Sequence, residues 1–364
     1  MTEAGGRPHW DRFAHWPRGA ARAALAGILA LLVAAVWTAV PTARDPVPAT
    51  QAEAGGEAER DTDLQLYDRI AERVMEGDSY YRAAVEEQRA RNFPVRPGLA
   101  VRLPTMAYLS VLMGREAFAA MIFLAALTAG AWFARLGTEP GGTERRLVAV
   151  ALLLFGMAAG LNPEYLVLHE VWACLFIALA IGLHRPGKWH WAWLAAAAAL
   201  AIREHALPFV LLLGAMAAWR RDWRETAAWG ALVLLFALGL WLHLAQVNAL
   251  LLPGDRPSDN WLALRGLRGL TSNVVLTSPL HFLPMQLAAP LALLPLAGWA
   301  GWKSPLGTFA TLFCMGYGVF FMIAGRDNNF YWALVVVPVW FVGLAFLPMA
   351  LRSLWLRATG GPPR

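Results

Sequence analysis

Apolar windows of about 20 residues, each able to cross roughly 30 Å of hydrocarbon, recur along nearly the whole chain and constrain its fold more than any other feature. Hydrophobic residues make up 58% of the sequence and charged residues 15%, with a mean hydropathy of +0.45. A soluble core could not hide that much apolar side chain without leaving large patches in water. The expected fold is an all-α polytopic membrane protein with about ten transmembrane helices.

The first apolar segment, 23 to 40, follows Arg7, Arg12, Arg18 and Arg22, which holds the N-terminus in the cytoplasm and sends the segment outward. A cleaved signal peptide is the competing reading, because small residues follow at Thr42 and Ala43; the apolar run exceeds the usual signal length. Further spans fall near 116 to 136, 147 to 162, 168 to 184, 190 to 203, 206 to 219, 227 to 247, 283 to 302, 306 to 325 and 330 to 350. Ten crossings return the C-terminus to the cytoplasm. Arg145, Arg146, Arg185, Lys188, Arg220, Arg221, Arg224, Lys303, Arg352 and Arg357 then all lie on the inner side, as the positive-inside bias requires. The chain divides into a cytoplasmic tail (1 to 22), the first transmembrane helix (23 to 40), an external loop (41 to 104), the remaining bundle (105 to 350) and a second cytoplasmic tail (351 to 364). A bacterial-type inner membrane is the expected location.

Composition removes other classes. The formal charge of +6 and pI near 9.7 set topology here, and no nucleic-acid motif accompanies them. Cys174 and Cys314 lie inside separate apolar spans, which argues against a disulfide and offers no metal spacing. Trp132, Trp189, Trp191, Trp193, Trp219, Trp223, Trp241, Trp261, Trp299 and Trp302 fall near span ends and read as an interfacial aromatic belt. No internal repeat or inverted pair of broken helices is visible.

The external loop is the largest polar stretch. Residues 42 to 59, rich in Ala, Pro, Gly and Glu, form a weakly ordered approach. From Asp63 the pattern changes: Leu64, Tyr67, Ile70, Ala71 and Val74 recur at three and four residues, opposite Asp68, Arg69, Glu72 and Arg73. That spacing predicts an amphipathic helix lying along the membrane surface, with Asp63 at its N-cap. A second amphipathic stretch runs from Tyr80 to Arg91, and Pro94, Pro97 and Pro104 lead the chain back into the bilayer.

Sorted by side, Asn162-Pro163-Glu164, His169-Glu170, Arg203-Glu204-His205, His281 and Arg326-Asp327-Asn328-Asn329 all fall on the face of the Asp63 loop. Ionisable groups at the membrane boundary are usually paired or used, so a shared external cavity is expected. Each also has a structural reading: Asp61 and Asp63 as solvated loop and cap, Glu164, His169 and Glu170 as turn residues, Arg203 with Glu204 and Arg326 with Asp327 as ion pairs. His184, His190 and His243 read as interfacial or packing residues. No HExxH or dense ligand spacing points to zinc.

At these residues the chain resembles the GT-C glycosyltransferases, polytopic enzymes of the aminoarabinose transferase and protein O-mannosyltransferase type that use a polyprenyl-phosphate-linked sugar. Asp63-Leu64-Gln65-Leu66-Tyr67 and Ile70 stand where that superfamily opens its first external loop with an acidic pair and an aromatic. Gly77-Asp78-Ser79-Tyr80-Tyr81 and the re-entry Arg102-Leu103-Pro104-Thr105 follow, and the likeness covers roughly residues 20 to 250. Two features depart from the pattern: Glu does not follow Asp63, and some twenty residues separate the first span from the acidic pair. Asp61 therefore stays a second candidate, and Asp61-Thr62-Asp63 also reads as a DxD pair that in some relatives holds a divalent cation.

The resemblance implies transfer of a hexose or pentose from the lipid-linked donor to an envelope lipid, glycan or protein acceptor at the outer face. Asp63, or Asp61, would be the general base. Arg102, Arg203, His205, Arg326, Tyr67, Glu164, His169, Glu170 and Asp327 are the candidate substrate and phosphate contacts. Implied partners are the donor, the acceptor and membrane lipids. Two other classes stay open on the residues alone: a transporter or lipid flippase, and a noncatalytic membrane scaffold.

Overall fold

The computed structural model describes residues 10 to 39 and 62 to 361. Asp61, the 42 to 59 approach and the small residues Thr42 and Ala43 lie outside the described residues. Among the described residues the architecture is helical, with a few isolated β-bridges as the extended pairing. In chain order the helices are α1 (Arg18–Thr38), α2 (Thr62–Met75), α3 (Tyr80–Ala90), α4 (Thr105–Met113), α5 (Ala117–Leu136), α6 (Gly142–Met157), α7 (His169–Leu183) and α8 (His190–Ile202). They continue with α9 (Leu207–Trp219), α10 (Trp223–Asn248), α11 (Gly266–Leu276), α12 (Met285–Gly301), α13 (Pro305–Ile323), α14 (Val337–Val342) and α15 (Leu347–Thr359).

Among the described residues, four stretches are long and apolar enough to cross a bilayer: Arg18–Thr38, Gly98–Leu136, Trp223–Asn248 and Pro305–Ile323. A fifth is available if Asp327–Val335 and Val337–Ala345, bent by 65°, form one broken span. His169–Leu183, His190–Ile202, Glu204–Trp219 and Met285–Gly301 are apolar but shorter. At 1.5 Å per residue the 15 residues of α7 reach only about 22 Å. Yet 13 of the 15 residues of α7 are buried, so its apolar surface meets other helices rather than lipid.

Close helix contact depends on small residues, as expected where lipid removes the usual hydrophobic drive for association. Gly298 of α12 lies against the backbone of Gly343, and an added Cβ would collide with the Gly343 carbonyl. Valine at Gly298 is expected to cost about 1 to 3 kcal/mol or more through overpacking. A fall in the thermal midpoint of the detergent-solubilised protein would register that loss, and an unchanged midpoint would contradict the packing.

Tryptophan use differs from the belt reading at several positions. Trp191, Trp219, Trp223 and Trp241 are exposed as a belt requires, but Trp132, Trp299 and Trp302 are fully buried. Their indole N–H groups donate to Ala178 O at 2.8 Å, Val339 O at 3.0 Å and Glu139 Oε2 at 3.2 Å. Proximity to a span end does not tell whether the ring faces lipid or a neighbouring helix. Two of the basic N-terminal residues make specific contacts: Arg18 and Arg22 each donate through Nε to Ala358 O, at 3.1 and 3.0 Å, satisfying a carbonyl at the C-terminal end of α15. The C-terminal tail expected from residue 351 onward is thus helical to Thr359 and packed on α1.

The amphipathic helices α2 and α3 form a hairpin over one end of the bundle. Arg73 ties them, with Asp78 and Glu86 each at 2.7 Å and Glu87 at 3.3 Å. Leu66 and Ile70 bury against Tyr80, Val85, Val95, Val101 and Val247, which fixes the hairpin to the bundle. The helix begins at Thr62, so Asp63 sits in its first turn rather than at the cap position expected from the sequence. A carboxylate there still faces the positive end of the helix dipole.

The connection after α10 closes onto the same hairpin. Asp255, 4% exposed, accepts from Arg89 Nε at 2.6 Å, from Arg89 Nη2 at 3.0 Å and from the Leu252 amide at 2.7 Å. Those bonds, Arg89 foremost, hold its carboxyl pKa down at about 2 against the opposing effect of burial. A folded pKa below the unfolded value near 3.9 gives stability that is present above about pH 4 and lost as pH falls through about 2. Asp255→Asn is expected to lower the thermal midpoint at pH 6 and to flatten its decline between pH 4 and 2; a variant with the wild-type acid profile would refute this.

Candidate functional site

Three chain breaks deliver the polar residues to one place beneath α2. The helix α8 ends at Arg203, whose extended backbone (φ −146°, ψ 119°) turns the chain before Glu204–Ala206 and α9 begin. The helix α7 starts at His169, so His169 and Glu170 occupy its first turn at the same end. Arg102 lies just before α4, where Pro104 starts the descent into the bundle, and its carbonyl accepts from the Tyr80 hydroxyl at 2.6 Å. The broken stretch Asp327–Val335 adds Tyr331.

Arg102 organises the upper part of the cluster. Its Nε donates to the Tyr67 hydroxyl at 3.0 Å and its Nη2 to the Tyr331 hydroxyl at 3.3 Å. The Tyr331 hydroxyl in turn donates to Asp63 Oδ2 at 3.4 Å. A guanidinium and a carboxylate thus meet through one phenol. Tyr67 stacks edge-on with His169 at 5.1 Å between ring centres, and burial raises its phenol pKa, so it stays a neutral hydroxyl.

Below it lies a second layer of charge. Arg203, fully buried, has Nε 2.7 Å from Glu170 Oε1 and Nη1 2.5 Å from Glu204 Oε1. Glu204 Oε1 also lies 3.4 Å from His205 Nδ1 and 3.9 Å from Arg102 Nη1. Despite this density the layer is not saturated. Arg203 Nε and Glu170 Oε1 approach out of line, and these two atoms, Arg203 Nη2, His169 Nδ1 and His205 Nδ1 have no hydrogen-bond partner. Buried polar atoms left open in this way normally cost about 1 to 3 kcal/mol each, so their concentration at one spot marks it as the candidate polar site.

Of the residues singled out in the sequence, Asp63, Tyr67, Arg102, His169, Glu170, Arg203 and His205 come together here. Arg326 and Asp327 differ from expectation. Arg326 Nη1 pairs with Asp259 at 2.8 Å and Asp327 with Arg265 at 2.9 Å, so both tie the broken stretch to the 259 to 265 segment. The reading of Arg326 with Asp327 as a mutual ion pair is replaced by these two longer links. Glu164 is exposed on the short turn before α7, where its amide donates to Asn162 Oδ1 at 3.0 Å. Asp61 lies outside the described residues.

Tyr331 and the hub role of Glu204 were not evident from the sequence. Tyr331 follows the polar run Arg326 to Asn329 by a half turn, and a tyrosine at a span end ordinarily reads as an interfacial anchor. Among the described residues no three His, Cys, Asp or Glu side chains gather at metal-binding distance. The DxD reading of Asp61 and Asp63 rests on Asp61, which lies outside the described residues.

A groove of about 270 Å³ opens beside the cluster, lined by Tyr67, Ile70, Tyr80, Met106, Ala107 and His169 among others. It connects the charged centre to apolar surface between the hairpin and α4. Compared with known proteins, the chain matches no family model, no curated protein and no solved structure.

Proposed function

We propose that the chain is a GT-C-like membrane glycosyltransferase that moves a sugar from a polyprenyl-phosphate donor to an envelope lipid, glycan or protein at the outer face of a bacterial-type inner membrane. The observation that carries this reading is the meeting of Asp63 and Arg102 at the Tyr331 hydroxyl, beside buried polar atoms that lack partners. An acceptor hydroxyl oxygen attacks the anomeric carbon while Asp63 takes its proton. The bond from that carbon to the phosphate oxygen breaks, and its electron pair leaves with the lipid phosphate. Arg102 supplies fixed positive charge where the phosphate becomes more negative, with Arg203 behind it. Tyr67 and Tyr331 hold the Arg102 fork in place.

The reading includes about ten crossings with both termini in the cytoplasm. The short helices α7, α8, α9 and α12 then count as crossings, lengthened at their ends by the short turns that carry the site. One observation favours transport instead: the 65° break next to Tyr331 is the kind of discontinuous helix that lines transporter sites. Mass spectrometry of lipids and envelope glycans in a deletion strain separates the two. Transfer predicts loss of one sugar substituent with accumulation of its polyprenyl-phosphate donor. Loss of the same substituent with the accumulated donor shielded on the inner leaflet from a membrane-impermeant reagent, rather than exposed on the outer one, would overturn transfer in favour of translocation.

A further inference from the structure

The opposite end of the bundle carries a second cleft, independent of the cluster described above. The antiparallel run of α7, α8 and α9 that places His169 and Arg203 at one end places His184 and Arg220 at the other. There a cleft of about 400 Å³ opens between the ends of α5, α7, α9 and α13. Arg135, His184 and Arg220 form its polar part, and Leu213, Met216 and Phe309 its apolar wall.

Arg135 is the informative residue. Only 7% of its side chain is exposed, yet its Nε has no hydrogen-bond partner. Its Nη1 is engaged by Glu139 Oε1 and by Thr138 Oγ1, both at 3.0 Å. Arg220 lies 2.8 Å from Glu225 Oε2, but that carboxylate is shared with His184, 2.7 Å from Oε1. Arg185, next to the cleft, donates to the neutral carbonyls of Gly182 and His184. Burial first, and the charge of Arg135 second, push its pKa down to about 10.

Depth identifies the ligand class. Trp191, Trp219 and Trp223 project at this end with 72%, 90% and 67% exposure, as indoles do at the headgroup level. A basic pocket at headgroup depth, continuous with an apolar wall, matches a phosphate joined to acyl chain. We propose that this cleft binds an anionic glycerophospholipid of the adjoining leaflet, its phosphate on Arg135 and Arg220 and the start of an acyl chain along Leu213, Met216 and Phe309. A free phosphate would meet the guanidiniums but leave the apolar wall uncovered.

The test uses the full-length protein in neutral detergent, titrated with phosphatidylglycerol, phosphatidylcholine or inorganic phosphate and followed by native mass spectrometry and thermal midpoint. Phosphatidylglycerol is expected to give a retained adduct and a raised midpoint, with phosphatidylcholine and inorganic phosphate giving neither. Arg220→Gln, at a partly exposed position, is expected to weaken the adduct about tenfold by removing a charge-assisted bond. Met216→Trp fills the slot and is expected to remove the adduct while leaving both arginines, so it decides the matter should Arg220→Gln fail to fold. Equal retention of phosphatidylcholine, a full effect from inorganic phosphate, or wild-type lipid binding by Met216→Trp would each overturn the proposal.

Discussion

Asparagine at Asp63 is expected to slow sugar transfer by about 10² to 10⁴-fold while leaving expression and donor binding near wild type. The substitution keeps the volume of the side chain and an oxygen able to accept from the Tyr331 hydroxyl, now 3.4 Å from Asp63 Oδ2. What it removes is the ability to accept a proton from an attacking hydroxyl. The loss should therefore fall on kcat, because a base acts in the transition state and contributes little to ground-state binding. Purified variant and wild type, assayed with a lipid-linked sugar over a range of donor concentrations, would show this split. Asp61→Asn serves as the companion measurement. Full activity at Asp63→Asn with a dead Asp61→Asn would move the base by two residues, and full activity in both would end the reading of this loop as catalytic.

The outline of the site was legible because each contributing pattern is local. Asp63 stood out as the start of an amphipathic period, Arg102 as the charge before a Pro-led re-entry, and Arg203-Glu204-His205 as an interruption of apolar sequence. Hydropathy reports how each segment partitions between water and lipid, and therefore which end of a span a residue occupies. It does not report lateral order within the bundle. That is why Arg326 could be assigned to a span end yet not matched to Asp259, 67 positions earlier, and why Tyr331 was not singled out.

The same limit explains the tryptophans. Trp191 and Trp299 have indistinguishable settings in sequence, each near a span end, but one is 72% exposed and the other lies wholly buried with its N–H on Val339 O. The helix α11 escaped for a different reason. Its Thr271 and Asn273 are polar enough to read as loop, yet both are buried, and the helix packs on α13 and on the broken stretch before α14. Its Asn273 Oδ1 accepts from Arg265 Nη1 at 3.0 Å, a contact from the residue that caps the helix's own start.

Loss of the Arg203 guanidinium is expected to have the largest effect on stability of any change in the cluster. Arg203→Met keeps comparable length and apolar bulk but leaves Glu170, with a side chain 1% exposed, without its counter-charge. Breaking a buried pair by removing one member typically costs about 3 to 5 kcal/mol, because the remaining ion has lost its compensation but not its desolvation. Against a total stability of about 5 to 15 kcal/mol this is enough to reduce the yield of folded protein sharply. Glu204, with 26% of its side chain exposed and Arg102 at 3.9 Å, is partly relieved by water and a second cation, so the penalty should trace mainly to Glu170. The double variant Arg203→Met with Glu170→Gln removes the stranded charge and is expected to recover a substantial part of the thermal midpoint. If the double variant is no more stable than Arg203→Met alone, Glu170 is not the group that Arg203 compensates. Transfer activity should stay low in both variants even where folding recovers, since the positive charge behind Arg102 is gone in each.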